Sequence, residues 1–415
     1  MKAAKSGVLT VINAQLPPGG QAGGIEQFVT SLVSALGKLD DGEDEYLIVG
    51  PRPDPTWLEP HLGANQKLIT HGMPADRPAL SVRLRRRIRG AFHGVPERLE
   101  DPFFDALGAD VVHFPYQSFR RCGTPTIFNP HDLQHCHYPE FFSDEDLVVR
   151  RALYPAACRE ARFVATESDW VRRDVVEQFQ VDETKVVTIY RGAPTDFYAP
   201  TTSEAAEKTR RDFALPGRFA LYPAQTWPHK NHLALLEAIA RLRDEGLEMH
   251  LVCTGRQNDF WPTIASRLEE LALTRQVRFL GFVEPSQLRA LYRLAEFLII
   301  PSLFEGGGFP LVEGFAEGVP VASSSATALP EYAGDAAFLF EPTVSGIADA
   351  IRRMFLDPAL RDLLRQRGRD RAATFSWRQT ALSYRALYRK TAGSELSAAE
   401  TRLLTPPDPQ AVALA

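Results

Sequence analysis

Phe297-Leu-Ile-Ile-Pro-Ser-Leu-Phe-Glu-Gly-Gly-Gly-Phe-Pro-Leu-Val-Glu-Gly-Phe-Ala-Glu-Gly-Val-Pro320 is the stretch whose reading decides the fold. It opens on a continuous apolar run, the pattern of a strand buried on both faces in a parallel sheet. Three consecutive glycines then make a turn, and a pattern with helical spacing restarts, with Pro310 where a first helical turn accepts proline. A strand, a glycine turn and a helix in that order put the turn beyond the strand's carboxyl end, where open α/β sheets hold their ligands. Glu305 is therefore expected in the loop and Glu313 in the helix's opening turn, both facing that space. Gly306, Gly307 and Gly308 let bare backbone N–H groups approach a ligand closely. The nearby helix N-terminus, near Gly307–Pro310, favours an anion such as phosphate. Carboxylates are poor phosphate ligands and good hydroxyl ligands, so the stretch reads as a site for a sugar joined to a phosphate.

Outward from this stretch, strand-like and helix-like runs alternate. In the first half, Val8–Ile12, Tyr46–Val49, Val111–Phe114, Thr126–Phe128, Phe163–Thr166 and Val186–Ile189 read as strands. Gly23-Gly24 opens a helix whose apolar residues run from Ile25 to Leu36. The segment from about 50 to 108 shows no clear pattern, apart from the basic run Arg83-Leu-Arg-Arg-Arg-Ile-Arg89. Pro200 to Lys208 is polar and reads as a connection. A second alternation follows: strand Phe219–Tyr222, helix Leu233–Asp244, strand Glu248–Cys253, helix Trp261–Leu271, strand Val277–Leu280, helix Ser286–Ala295 and strand 297–301. Such alternation predicts an α/β chain of two doubly wound Rossmann-like domains facing a cleft, residues 1–197 and 198–376. Residues 396–415 read as a weakly ordered tail.

At 415 residues, two domains are expected. A formal net charge of −5 argues against a nucleic-acid binder of the basic type. Four cysteines without regular spacing imply a reducing compartment and no disulfide framework. No apolar run approaches the ~20 residues of a membrane helix, so a cytoplasmic location is expected.

Several ordered motifs resemble the retaining glycosyltransferases of family 4, also called group 1, which have two Rossmann-like domains (the GT-B fold). Glu305 and Glu313 resemble the family's acidic motif. Val277-Arg-Phe-Leu-Gly-Phe-Val283 is similar to its base-binding strand and turn, and Lys230-Asn231 to its basic diphosphate contact. Gly318-Val-Pro-Val321 and Leu329-Pro-Glu-Tyr-Ala-Gly-Asp-Ala-Ala337 resemble the segments that follow. The likeness runs from about residue 8 to 390 and implies that a last helix, 377–392, crosses back onto the first domain.

The resemblance also implies roles. Glu305 would bind hydroxyls of the transferred sugar and stabilise positive charge at its anomeric carbon. Glu313 would accept from the nucleotide ribose, and Phe282-Val283 would receive the base. Gly307, Gly308 and Phe309 would line the donor site, with Gly23 and Gly24 opposite on the acceptor side. Lys230 would neutralise the leaving diphosphate in place of a metal ion; the plain alternative is a solvated lysine near a helix start, where positive charge is mildly unfavourable. The family usually carries an arginine five or six residues earlier, where Ala224 and Gln225 stand, so Arg191 and Arg256 are candidates for a second cation. His131 would contact the donor sugar or the acceptor.

His131, His135, Cys136 and His137 lack the spacing of a common zinc site, and structural roles are expected for His135 and His137. Asp144-Glu-Asp146 follows Ser143 and reads as an acidic first helical turn, not a metal motif. No cofactor or required metal is expected. His131-Asp-Leu-Gln-His-Cys-His-Tyr-Pro-Glu-Phe-Phe142 resembles a subgroup of the family that often builds bacterial surface polysaccharides, so the expected partners are a nucleotide-diphosphate sugar, GDP-mannose before UDP-glucose, and a saccharide or lipid-linked acceptor. Arg83, Arg85, Arg86, Arg87 and Arg89 read as a solvated face or as a contact with the inner face of a membrane. Two rivals stay open: a sugar-nucleotide epimerase on the same architecture, and a non-catalytic nucleotide-sugar-binding protein, which the missing arginine favours.

Overall fold

Two parallel sheets organise the chain, one in each of the units into which it divides. The first unit runs to Arg191 and resumes at Trp377; the second runs from Gly192 to Ser376. The computed structural model describes residues 7–17, 23–52, 54–72, 100–193 and 201–405. The basic run Arg83 to Arg89 lies outside these.

In the first unit, strands β1 (Leu9–Asn13), β2 (Glu45–Gly50), β3 (Gln66–Thr70), β4 (Val111–Phe114), β5 (Thr126–Phe128), β6 (Phe163–Thr166) and β7 (Val186–Thr188) form one sheet in the order β3-β2-β1-β4-β5-β6-β7. The pattern-derived strands lie within a residue or so of these positions. The exception is β3, an edge strand whose Gln-Lys-Leu-Ile-Thr carries too little apolar alternation to stand out. Helix α1 (Gly24–Gly37) buries Phe28, Val29, Leu32, Val33 and Leu36, the side expected from their spacing. Ser143 caps α2 (Asp144–Glu160) by accepting from the Asp146 N–H, so Asp144, Glu145 and Asp146 form an acidic first turn.

In the second unit, β8 (Ala220–Pro223), β9 (Leu251–Thr254), β10 (Val277–Phe279), β11 (Phe297–Ile300), β12 (Val321–Ser324) and β13 (Ala337–Phe340) are parallel, in the order β10-β9-β8-β11-β12-β13. Phe297 pairs with Ala220 on one side of β11 and Leu298 with Val321 on the other, so β11 is central and its four residues are buried. The chain winds outward from β8 through β9 to β10, then returns to β11 and winds the other way. The adjacent ends of β8 and β11 are thus a topological switch point. Helices α3 (His232–Asp244), α4 (Pro285–Leu294), α5 (Phe309–Ala316) and α6 (Leu329–Ala333) follow β8, β10, β11 and β12.

After Ser376 the chain returns to the first unit as α7 (Trp377–Ala392). Its Tyr388 hydroxyl lies 2.9 Å from His113 Nδ1, and its Tyr384 hydroxyl accepts from Asn129 Nδ2 at 2.7 Å. His113 Nε2 in turn meets Asn129 Oδ1 at 2.7 Å, so a buried polar chain joins α7 to β4 and the end of β5. Trp377 and Tyr384 both touch the Phe28 ring on α1.

The units divide at Arg191/Gly192, and the buried Arg191 side chain stays with the first unit; the expected boundary at 197/198 lies outside the described residues. One expectation for the chain's end needs correction. Residues 396–405 are not all tail: α8 (Ala398–Leu403) forms there. Ser397 and Glu400 make a reciprocal capping box, and Glu400 accepts from Arg389 Nη1 at 2.6 Å.

Candidate functional site

The loop after β8 and the loop after β11 are stitched together by their backbones. Tyr222, at the end of β8, donates its hydroxyl to the Lys230 carbonyl at 2.7 Å. Burial first, and then the Glu305 charge, push the Tyr222 pKa well above its usual value, so it stays a donor. The Leu303 N–H donates to the His229 carbonyl at 2.8 Å. Asn231, with φ 60°, donates Nδ2 to both the Pro301 and Pro342 carbonyls at 3.0 Å. The outcome is that Lys230 Nζ meets Glu305 Oε1 at 2.6 Å, with side chains 17% and 14% exposed. These residues stand 75 apart in sequence.

Glu305 is gripped at its own backbone by a residue the sequence did not flag. Thr327 Oγ1 accepts from the Glu305 N–H at 2.9 Å and donates to its carbonyl at 2.8 Å. Gly308 is the N-cap of α5, with φ −115°, so its need for glycine is not conformational. A Cβ there would lie 2.8 Å from Tyr332 Cγ, inside ordinary contact distance. At Gly314 a Cβ would lie 2.3 Å from Leu298 Cδ1, so α5 rests directly on β11.

Glu313 is not in the opening turn of α5 as expected. The helix starts at Phe309, which makes Glu313 its fifth residue, buried at 7% exposure and beyond the turn where the helix dipole acts. Its Oε2 accepts from the buried Tyr292 hydroxyl of α4 at 2.5 Å. Tyr292 was legible only as an apolar position of a helix.

At the neighbouring strand ends, the Gly255 N–H donates to the Gly281 carbonyl at 2.8 Å, and the Thr226 N–H to the Arg256 carbonyl at 3.2 Å. The Arg256 guanidinium lies 5.6 Å from the Phe282 ring centroid. Phe282 is 56% exposed while Val283 is buried, so an aromatic face and a cation are presented together beside β10. Gln225, in the expected arginine's place, accepts from the Trp227 indole at 2.9 Å.

The remaining candidates lie in the first unit. Gly23, the N-cap of α1, has φ 56° and ψ −127°, a conformation only glycine adopts easily. Gly24 begins the helix, and Phe28, one turn on, packs edge-on to His131 at 5.3 Å. His131 itself has φ 64° and is buried. Its Nε2 lies 2.8 Å from the Pro115 carbonyl, an acceptor only, so Nε2 carries the proton. Arg191 Nη2 donates to Nδ1 at 2.7 Å. Burial, and then the Arg191 charge, push the His131 pKa well below its usual value, and the ring is neutral. Both ring nitrogens are therefore engaged within the unit.

Arg191 is ion-paired with the buried Glu167 and stands 4.5 Å over the Phe28 ring, both in the first unit. Arg256 is the candidate cation that shares the second unit with Lys230. His135 packs edge-on to Tyr154 at 4.7 Å, and His137 Nε2 meets Asp174 Oδ1 at 2.8 Å. Among the described residues no group of three or more His, Cys, Asp and Glu could hold a metal ion. None of the described helices is long and apolar enough to cross a membrane.

The two-unit architecture matches solved structures over almost the whole chain. An Anabaena protein, HepE, crystallised with UDP and glucose, superposes with a TM-score of 0.69 at 18% identity, covering 92% of this chain and all of that one. This is the fold of the GT-B glycosyltransferases. Residues 22–197 match the family model described as Glycosyltransferase Family 4, and residues 205–371 the one described as Glycosyl transferases group 1. The chain belongs to this glycosyltransferase family. Among curated relatives, O-antigen chain mannosyltransferase B of Escherichia coli is 27% identical over 263 residues, 62% of this chain and 69% of that protein. D-inositol 3-phosphate glycosyltransferase of Corynebacterium glutamicum is 27% identical over 263 residues, 61% of this chain and 63% of that protein, under two thirds of its length.

Proposed function

We propose that this glycosyltransferase moves a hexose, mannose before glucose, from a nucleotide-diphosphate sugar to a saccharide or lipid-linked acceptor, with retention and without a required metal. The observation that carries the reading is the meeting of Lys230 and Glu305 at 2.6 Å across the β8–β11 switch point, beside the glycine turn that opens α5. Lys230 supplies the positive charge that a leaving diphosphate needs, and the N–H groups at the start of α5 add partial charge of the same sign. Glu305 accepts from sugar hydroxyls. Glu313, oriented by Tyr292, accepts from the ribose, and the base lies against Phe282 and Val283 with Arg256 beside them.

In the transfer, the bond from the anomeric carbon to the β-phosphate oxygen breaks and its electron pair leaves with the nucleotide diphosphate. The acceptor oxygen attacks the same face of the sugar, and its proton passes to the departing phosphate. His131, with both nitrogens engaged, becomes a positioning residue that holds Arg191 and Phe28 behind the Gly23–Gly24 turn. Mannose is preferred because the Escherichia coli relative is named a mannosyltransferase; retention rests on the family resemblance. The cytoplasmic face of a membrane is the proposed workplace, on the ground of the basic run Arg83–Arg89.

The test is calorimetry of GDP-mannose and UDP-glucose against wild type and Lys230→Ala. It is followed by NMR of the product formed with candidate saccharide acceptors. Binding of one donor, weakened in the variant, and an axial-to-axial transfer support the reading. Epimerised donor would replace it with the isomerase, and binding of neither donor would remove it.

A further inference from the structure

Lys230 and Glu305 have separate tasks in the reading above, on which this inference rests: the ammonium is meant for the diphosphate and the carboxylate for the sugar. In the structure they hold each other instead. Their roots are pinned and their tips are not. Lys230 is held at its carbonyl by Tyr222, and Glu305 at its N–H and carbonyl by Thr327. Among the described residues, the only hydrogen bond of either side-chain tip is the one between them. The two charged tips can therefore change partners by side-chain rotation while the loops stay where they are.

A nucleotide-diphosphate sugar satisfies both tips at once: its phosphates take the ammonium and its hydroxyls take the carboxylate. A nucleoside diphosphate satisfies only the ammonium and leaves a part-buried carboxylate unpaired beside an anion, which is costly. We propose that the Lys230–Glu305 pair is a charge-exchange latch that separates donor from spent nucleotide. Glu305 releases Lys230 when the sugar arrives. Once the sugar has left on the acceptor, Glu305 recaptures Lys230 and displaces the nucleoside diphosphate. The pair thus sets specificity for the sugar-bearing form and speeds product release.

The test is a double-mutant cycle by calorimetry on the full chain, with GDP, UDP, GDP-mannose and UDP-glucose as probes. Glu305→Gln keeps the shape and removes the competing charge. It is expected to tighten the nucleoside diphosphate about five- to tenfold, the scale of a partly buried ion pair, and to weaken the nucleotide sugar. Removing a carboxylate near an anion would also help binding by simple repulsion, and the second arm separates the two. In a Lys230→Met background the gain for the nucleoside diphosphate should vanish, whereas relief of repulsion would leave it intact. Lys230→Arg, which keeps the charge, should restore it. A gain that persists without Lys230, or no gain at all, overturns the latch while leaving the glycosyltransferase reading standing. Binding of none of the four probes to wild type overturns both.

Discussion

Gly308→Ala tests how the donor loop is held. A Cβ at this position would sit 2.8 Å from Tyr332 Cγ and 2.9 Å from Tyr332 Cβ. Ordinary carbon–carbon contact is about 3.5–4.0 Å, so roughly 0.7 Å must be recovered. The tyrosine cannot yield by rotating a distant tip, because the clash is at the root of its ring. Nor can the ring retreat: Tyr332 is buried on α6 and stacked on Phe375, centroids 5.3 Å apart. The backbone of Gly306–Gly308 has to move, and with it the loop that carries Glu305. Overpacking of this kind costs about 1–3 kcal/mol. A shift of this order in a positioning loop lowers turnover by up to about 100-fold. Denaturant unfolding should show the stability loss, and calorimetry a weakened donor. Tyr332→Ala leaves a cavity costing about 3–5 kcal/mol alone, but it removes the clashing atoms. The double variant should therefore be at least about 1 kcal/mol more stable than the sum of the single changes. Wild-type stability and donor affinity in Gly308→Ala, or strict additivity in the double variant, would refute the argument.

Three further outcomes are expected. Arg191→Met strands the buried Glu167 carboxylate and should destabilise the first unit by about 3–5 kcal/mol in denaturant unfolding, with Glu167→Gln in the same chain recovering much of the loss. His232 is buried between the Tyr222 and Phe279 rings, with no hydrogen-bond partner at either nitrogen among the described residues, and burial followed by the Lys230 charge pushes its pKa down to about 3. The unfolded chain takes up a proton near pH 6.5 that the folded ring refuses, so this histidine's stabilisation is complete above that pH and is lost as pH falls toward 3. His232→Leu should then flatten the acid limb of the stability–pH curve, and an unchanged limb would count against it. Phe282→Ala removes an exposed ring, so stability should stay within about 0.5 kcal/mol, while donor affinity falls by the about 1–3 kcal/mol of a base stacked on an aromatic face.

Much of this was open to inspection in the residues alone, and the reason is local physics. A four-residue apolar run such as Phe297–Ile300 can only be a buried strand once a glycine turn and a helical period follow it. The same reasoning placed β4, β5, β6 and most of the second unit. Glu305 and Lys230 stood out as candidates because each stands at a strand-to-helix turn and matches a motif of the resembled family. Local pattern had no purchase on what holds them. Thr327 grips Glu305 from 22 residues away, Tyr292 orients Glu313 from 21, and Asn231 bonds carbonyls 70 and 111 residues distant. No periodicity announces a hydrogen bond between two loops. The position of Glu313 within its helix turned on where α5 starts, which packing of Gly308 against Tyr332 decides. Arg191 had the composition of a phosphate ligand, and only the tertiary structure placed Glu167, His131 and Phe28 around it. The chain's own residues set which groups stand at strand ends; the partners that fix or occupy those groups come from segments brought together only when the sheets assemble.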